Sequence, residues 1–170
     1  MPRTTKNALR ETNVPWITKD GYIDLTKVPI DSTLSQAVSD NREEFAKACR
    51  MLSSMAYAGR AEAVVFLCGL LGYCGNDTTR KEEIVEALSR VRTHQVAGLL
   101  FAELESTESS NSTRGYISRI LKALEGFPLE SVEEGFERLL SDPRRTYRMK
   151  RKFREILEKS EYLNRGLTSQ

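Results

Sequence analysis

One five-residue block constrains this chain more than any other feature. It stands at Ala48-Cys49-Arg50-Met51-Leu52 and returns as Ile84-Val85-Glu86-Ala87-Leu88, Ile120-Leu121-Lys122-Ala123-Leu124 and Phe153-Arg154-Glu155-Ile156-Leu157, with starts 36, 36 and 33 residues apart. Each block sits in a helical pattern, so the chain reads as an array of helical hairpins whose units bury their apolar faces against their neighbours. A second ladder precedes the first. Leu71, Leu104 and Leu140 close one helix of each hairpin, and Ala63, Val96 and Val132 stand eight residues earlier in each, on the same face two turns back.

Breaker clusters separate the helices of each pair: Gly75-Asn76-Asp77-Thr78, Ser109-Ser110-Asn111-Ser112 and Asp142-Pro143. All supply side-chain oxygens able to cap the following helix. A shorter first hairpin spans Ser32 to Met55 around Val38-Ser39-Asp40-Asn41-Arg42. The expected organisation is an N-terminal arm over 1–30, a repeat domain over 31–158 holding about four hairpins, and a C-terminal tail over 159–170. In the arm, Asp20-Gly21 between alternating residues signals a β-hairpin, with Trp16 as its anchor. Such a hairpin is marginal alone, so it either caps the array or docks on a partner. The helix over Ala61–Tyr73 is apolar on every side and is expected to be the most buried, with Gly69 and Gly72 serving close helix approach.

The three cysteines, Cys49, Cys68 and Cys74, form no CxxC pair and fall in apolar helical runs, which suits free thiols in a reducing cytoplasm. The longest uncharged run, Ala63 to Asn76, is 14 residues, too short to span a bilayer, and the first residues lack the apolar stretch of a signal peptide. No zinc-ligand spacing and no phosphate-cradling loop is present, so neither metal nor cofactor is expected. His94, the only histidine, stands where a helix begins. The acid pairs Glu43-Glu44, Glu82-Glu83 and Glu133-Glu134 are expected in first helical turns, where negative charge complements the helix dipole.

Charge is uneven. Arg144, Arg145, Arg148, Lys150, Arg151, Lys152 and Arg154 follow Pro143 without an acid among them, which leaves the rest of the chain at −5 against a net charge of +2. On a helix, Arg144, Arg148 and Arg151 share a face that would suit an acidic protein or a nucleic-acid backbone, or would simply be solvated and paired with Glu134, Glu137, Glu155 and Glu158. Aromatic residues near it are limited to Tyr147 and Phe153.

Leu139-Leu140-Ser141-Asp142-Pro143 with Arg148 just inside the next helix resembles the turn of a HEAT repeat, and Arg80 and Arg114 occupy similar places after Thr79 and Thr113. The resemblance implies an all-α, right-handed α-α superhelix whose second helices line a concave face. Its exposed positions there, Arg80, Glu83, Arg114, Ser118, Lys122, Arg148 and Lys152, are the expected partner contacts, together with Trp16. Arg114 and Arg148 could equally tie neighbouring turns together, as the corresponding arginines do in HEAT repeats. The function expected is a non-catalytic protein-binding scaffold, with nucleic-acid binding through 143–154 as the alternative. Alkylpurine DNA glycosylases and phycobilin lyases also use HEAT-like arrays, but the first need aromatic side chains on the concave face, where this chain offers Tyr116 and little else.

Overall fold

A computed structural model describes residues 14–20 and 22–167, with side chains through Tyr162. Eight helices are present among them: α1 (Asp31–Ala37), α2 (Arg42–Tyr57), α3 (Ala61–Tyr73), α4 (Thr78–Leu88), α5 (His94–Ser106), α6 (Arg114–Leu124), α7 (Leu129–Ser141) and α8 (Tyr147–Leu167). The chain divides into two compact units, up to Leu67 and from Cys68 onward, a division that falls inside α3.

In the first unit the arm turns back on itself through a single antiparallel bridge between Ile17 and Ile23. Flanking backbone bonds join Thr18 to Tyr22 and Asp24 to Trp16, each 2.8 Å long. No strand extends from the bridge among the described residues, and the Gly21 half of the Asp-Gly signal lies outside them. Arg60 fastens the arm by donating from Nη1 to the Val28 carbonyl. Asn41 caps α2 by accepting from the Glu43 and Glu44 amides, and Phe45, Ala48, Leu52 and Met55 bury the inner face of that helix. Gly59, at φ 95°, ends it. Its N–H and that of Arg60 return to the Ala56 and Met55 carbonyls, a closure that needs the left-handed conformation glycine adopts without steric cost.

The second unit is built by pairing. α5 packs against α7 and α4 against α6, while α5–α6 and α7–α8 are packed sequence neighbours. Both ladders of the sequence run through this core: Val96, Leu104, Val132 and the blocks Ile84-Val85-Ala87-Leu88 and Ile120-Leu121-Ala123-Leu124 are buried, with Glu86 and Lys122 at the solvent position of each block. At the last rung Leu139 is buried and Leu140 only half so. Two helical turns are about 7.2 residues, so seven steps from Val132 serve as well as eight. Phe101 meets Phe136 edge-on at 5.0 Å between ring centres, and Phe136 meets Phe153 at 5.8 Å, which links α5, α7 and α8 through one aromatic row.

Two sequence expectations fail on α3. Val65 is 71% and Tyr73 72% exposed, so this is not the most buried helix. A helix apolar all round has no amphipathic stripe to decide how much of it turns inward. A Cβ placed on Gly69 or Gly72 would meet nothing within 4 Å, so neither permits close approach. That role belongs to Gly135 on α7, where an added Cβ would enter the Phe101 ring. Of the acid pairs, only Glu43-Glu44 lies in a first turn. α8 also continues beyond residue 158, where Lys159 pairs with Glu125 and Ser160 is buried.

Candidate binding groove

α6 and α8 are not among the closely packed helix pairs, and a groove of about 140 Å³ opens between them. Its polar wall is Arg114 and Ser118 on α6 facing Arg148 and Lys152 on α8, with Ser109 and Thr146 contributed by the preceding turns; Ile117, Leu121 and Met149 form the apolar part. No carboxylate lines it. The same four-residue step on both helices, Arg114 to Ser118 and Arg148 to Lys152, places each pair one turn apart on one face. Four of the residues expected from sequence as partner contacts therefore converge.

Local structure sets this wall. Thr113 precedes α6 but gives its hydroxyl to the 107–113 turn, donating to the Glu108 carbonyl at 2.6 Å and accepting from the Ser110 amide at 2.9 Å, so it does not cap the helix. Arg114 donates to the Asn111 side-chain carbonyl at 3.1 Å, a contact within its own turn, and makes no ion pair among the described residues. Arg148 and Lys152 make no ion pair among the described residues. A second cavity of about 640 Å³ shares Ser109, Thr146 and Met149 with the groove and continues it toward Glu105, Glu108, Arg144 and Arg145.

The basic run does not form one helical face. α8 begins at Tyr147, so Arg144 and Arg145 lie in the turn. Asp142 draws both back: Arg144 donates to its two oxygens from Nε and Nη2, and Arg145 Nε stands 3.3 Å from Oδ2. The Arg144 hydrogen bonds hold the Asp142 carboxyl down at about 2. The Arg145 side chain is only 8% exposed, and its Nη2 donates to the Leu104 and Glu105 carbonyls at 3.2 and 3.0 Å, satisfying the end of α5. Asp142 thus engages these two arginines rather than Arg148. Arg151 is paired with Glu155 at 3.3 Å; Arg154 is exposed and Lys150 half-buried.

The other expected contacts stand apart. Arg80 lies 3.6 Å from Asp77 at the start of α4, Glu83 is half-buried farther along that helix, and Lys122 is exposed on α6 outside the groove lining. Trp16 is half-buried in the first unit. Tyr116 belongs to the core, with its hydroxyl donating to Glu103 at 2.8 Å; Lys81 reaches the same carboxylate at 2.8 Å. Burial, then the Glu103 carboxylate, raises the Tyr116 phenol above its ordinary range, so it stays a donor.

The contacts expected from sequence did not include the groove's Ile117, Leu121 and Met149, which lie on the helices themselves, or Ser109 and Thr146, which enter through the path of the turns. Sequence reasoning also missed a regular set of ion pairs: Arg119 to Glu86, Arg138 to Glu105 and Lys159 to Glu125, separated by 33, 33 and 34 residues. A search for opposite charges one repeat apart would have found them. No helix among the described residues is long and apolar enough to cross a membrane. Comparison of the chain with protein-family models, curated proteins and solved structures finds no match.

Proposed function

We propose that the chain is a non-catalytic binding module of the cytoplasm, a HEAT-like array coiled as a right-handed superhelix, whose α6–α8 groove holds an acidic segment of another protein. The observation that carries this reading is the lining: three cations from two helices, an apolar floor and no carboxylate. An acidic side chain entering there meets opposite charge, and an apolar neighbour finds Ile117, Leu121 and Met149. The 33- and 34-residue spacing of the ion pairs supports the repeat reading. Free thiols at Cys68 and Cys74, pushed up by burial, suit a reducing compartment.

Nucleic acid is the second reading, favoured by Tyr147, 76% exposed beside Arg148 as a stacking surface. It ranks lower because Arg144 and Arg151 already hold carboxylates and Arg145 is buried, which leaves few cations for a phosphate backbone. Fluorescence anisotropy with a labelled peptide of mixed glutamate and leucine tests the first reading. Binding should weaken at least about tenfold in Arg114→Glu/Arg148→Glu and stay unchanged in Lys122→Glu, the loss expected for two charge-assisted contacts. Equal affinity in all three proteins would exclude the groove. A labelled single-stranded oligonucleotide that binds more tightly, with steep salt dependence, would establish the second reading instead.

A further inference from the structure

We infer that the α6–α8 groove recognises a phosphorylated serine or threonine within the partner's acidic segment, an inference that rests on the protein-binding reading above. Arg114, Arg148 and Lys152 bring three positive charges to about 140 Å³ of space with no acid among its walls. One carboxylate would offset a single charge. A phosphate monoester near neutral pH carries close to two, on three oxygens that each accept strong hydrogen bonds from guanidinium or ammonium groups.

The cations are also available. Arg114 spends one donor on the neutral Asn111 amide, and Arg148 and Lys152 are in no ion pair among the described residues, whereas Arg144, Arg145 and Arg151 are committed to Asp142, Glu155 or backbone carbonyls. The hydroxyls of Ser118 and Thr146 add neutral donors at the same wall. Ile117, Leu121 and Met149 would take an apolar residue beside the modified one, which separates this site from a bare anion hole.

The test uses the full chain and three labelled peptides identical but for one central residue, serine, glutamate or phosphoserine, each flanked by leucine and alanine, with the glutamate–leucine peptide above as reference. The phosphoserine peptide should bind at least tenfold more tightly than its glutamate twin. Arg114→Gln/Arg148→Gln, checked for folding by circular dichroism, should erase that difference, and Lys122→Gln should keep it. Equal affinity of the phosphoserine and glutamate peptides, with the reference peptide still bound through Arg114 and Arg148, would overturn phosphate recognition and leave the protein-binding reading standing. No binding of any peptide would overturn both. Inorganic phosphate displacing the peptide at a concentration near the peptide's own Kd would identify a free-anion site and overturn the peptide assignment, as would an oligonucleotide that outcompetes the phosphopeptide at the same arginines.

Discussion

Gly135 lacks a side chain where the Phe101 ring lies, and the Phe101 ring cannot withdraw because Phe136 packs edge-on against it. Gly135→Ala should therefore destabilise the protein by about 1–3 kcal/mol through overpacking, read as a lower denaturant midpoint. Gly69→Ala should do the reverse, stabilising by up to about 1 kcal/mol, since its added methyl meets open space in a helix interior. The contrast shows what one residue's letter conceals. Gly69 and Gly72 sit in an apolar run and look like contact points, yet the need for glycine depends on what faces it from another helix, which the run does not encode. Asp142 gives a pH-dependent counterpart. Arg144 holds its carboxyl below the ordinary 3.8, at about 2, so the stabilisation is fully present above 3.8 and fades as pH falls toward 2. Asp142→Asn should flatten that part of the stability–pH profile, measured by thermal melts between about pH 2 and pH 5.

At the scale of the element, the turn into α8 depends on one side chain. Arg145 closes the C-terminal carbonyls of α5 while pairing with the aspartate of its own turn, so it joins two successive hairpins. Arg145→Ala leaves the Leu104 and Glu105 carbonyls short of a donor, and should cost about 1–3 kcal/mol, measured by urea unfolding. The basic letters of this stretch were legible; their division between turn and helix was not. A helix laid from Arg144 puts three arginines on one face, but Asp142 takes Arg144 and Arg145 into the turn before the helix starts. The apolar periodicity fared better. Leu88 and Leu124, read from the recurring block, are fully buried in α4 and α6, and either Leu→Ala change should cost about 2–5 kcal/mol in the same assay. Buried positions repeat because each hairpin must cover its neighbour, and that demand is written in the sequence at every turn.

Across the second unit, the apolar blocks recur at 36 and 33 residues and the surface ion pairs span 33 or 34, close to one hairpin in each case. Arg119–Glu86 and Arg138–Glu105 are both substantially exposed, so neither contributes much alone: a double-mutant cycle on Arg119 and Glu86 should give a coupling below about 1 kcal/mol, smaller still in high salt. Stability resides in the buried layers, while the charges match one hairpin to the next. Half of the groove was legible for the same reason: Arg114, Ser118, Arg148 and Lys152 fall on the solvent side of periodic helices. Ser109 and Thr146 depend on the 107–113 and 142–146 turns, whose paths follow from hydrogen bonds such as Thr113 to Glu108 that no periodicity announces. The charge ladder also sets a rule for how such a chain can change length. A duplicated hairpin would keep the 33- or 34-residue step between opposite charges, whereas a single residue inserted within a helix would turn away the charges whose pairs span it, such as Glu86 and Arg119. Growth and loss in this chain are therefore quantised, with the hairpin as the smallest step that leaves each side chain facing its opposite.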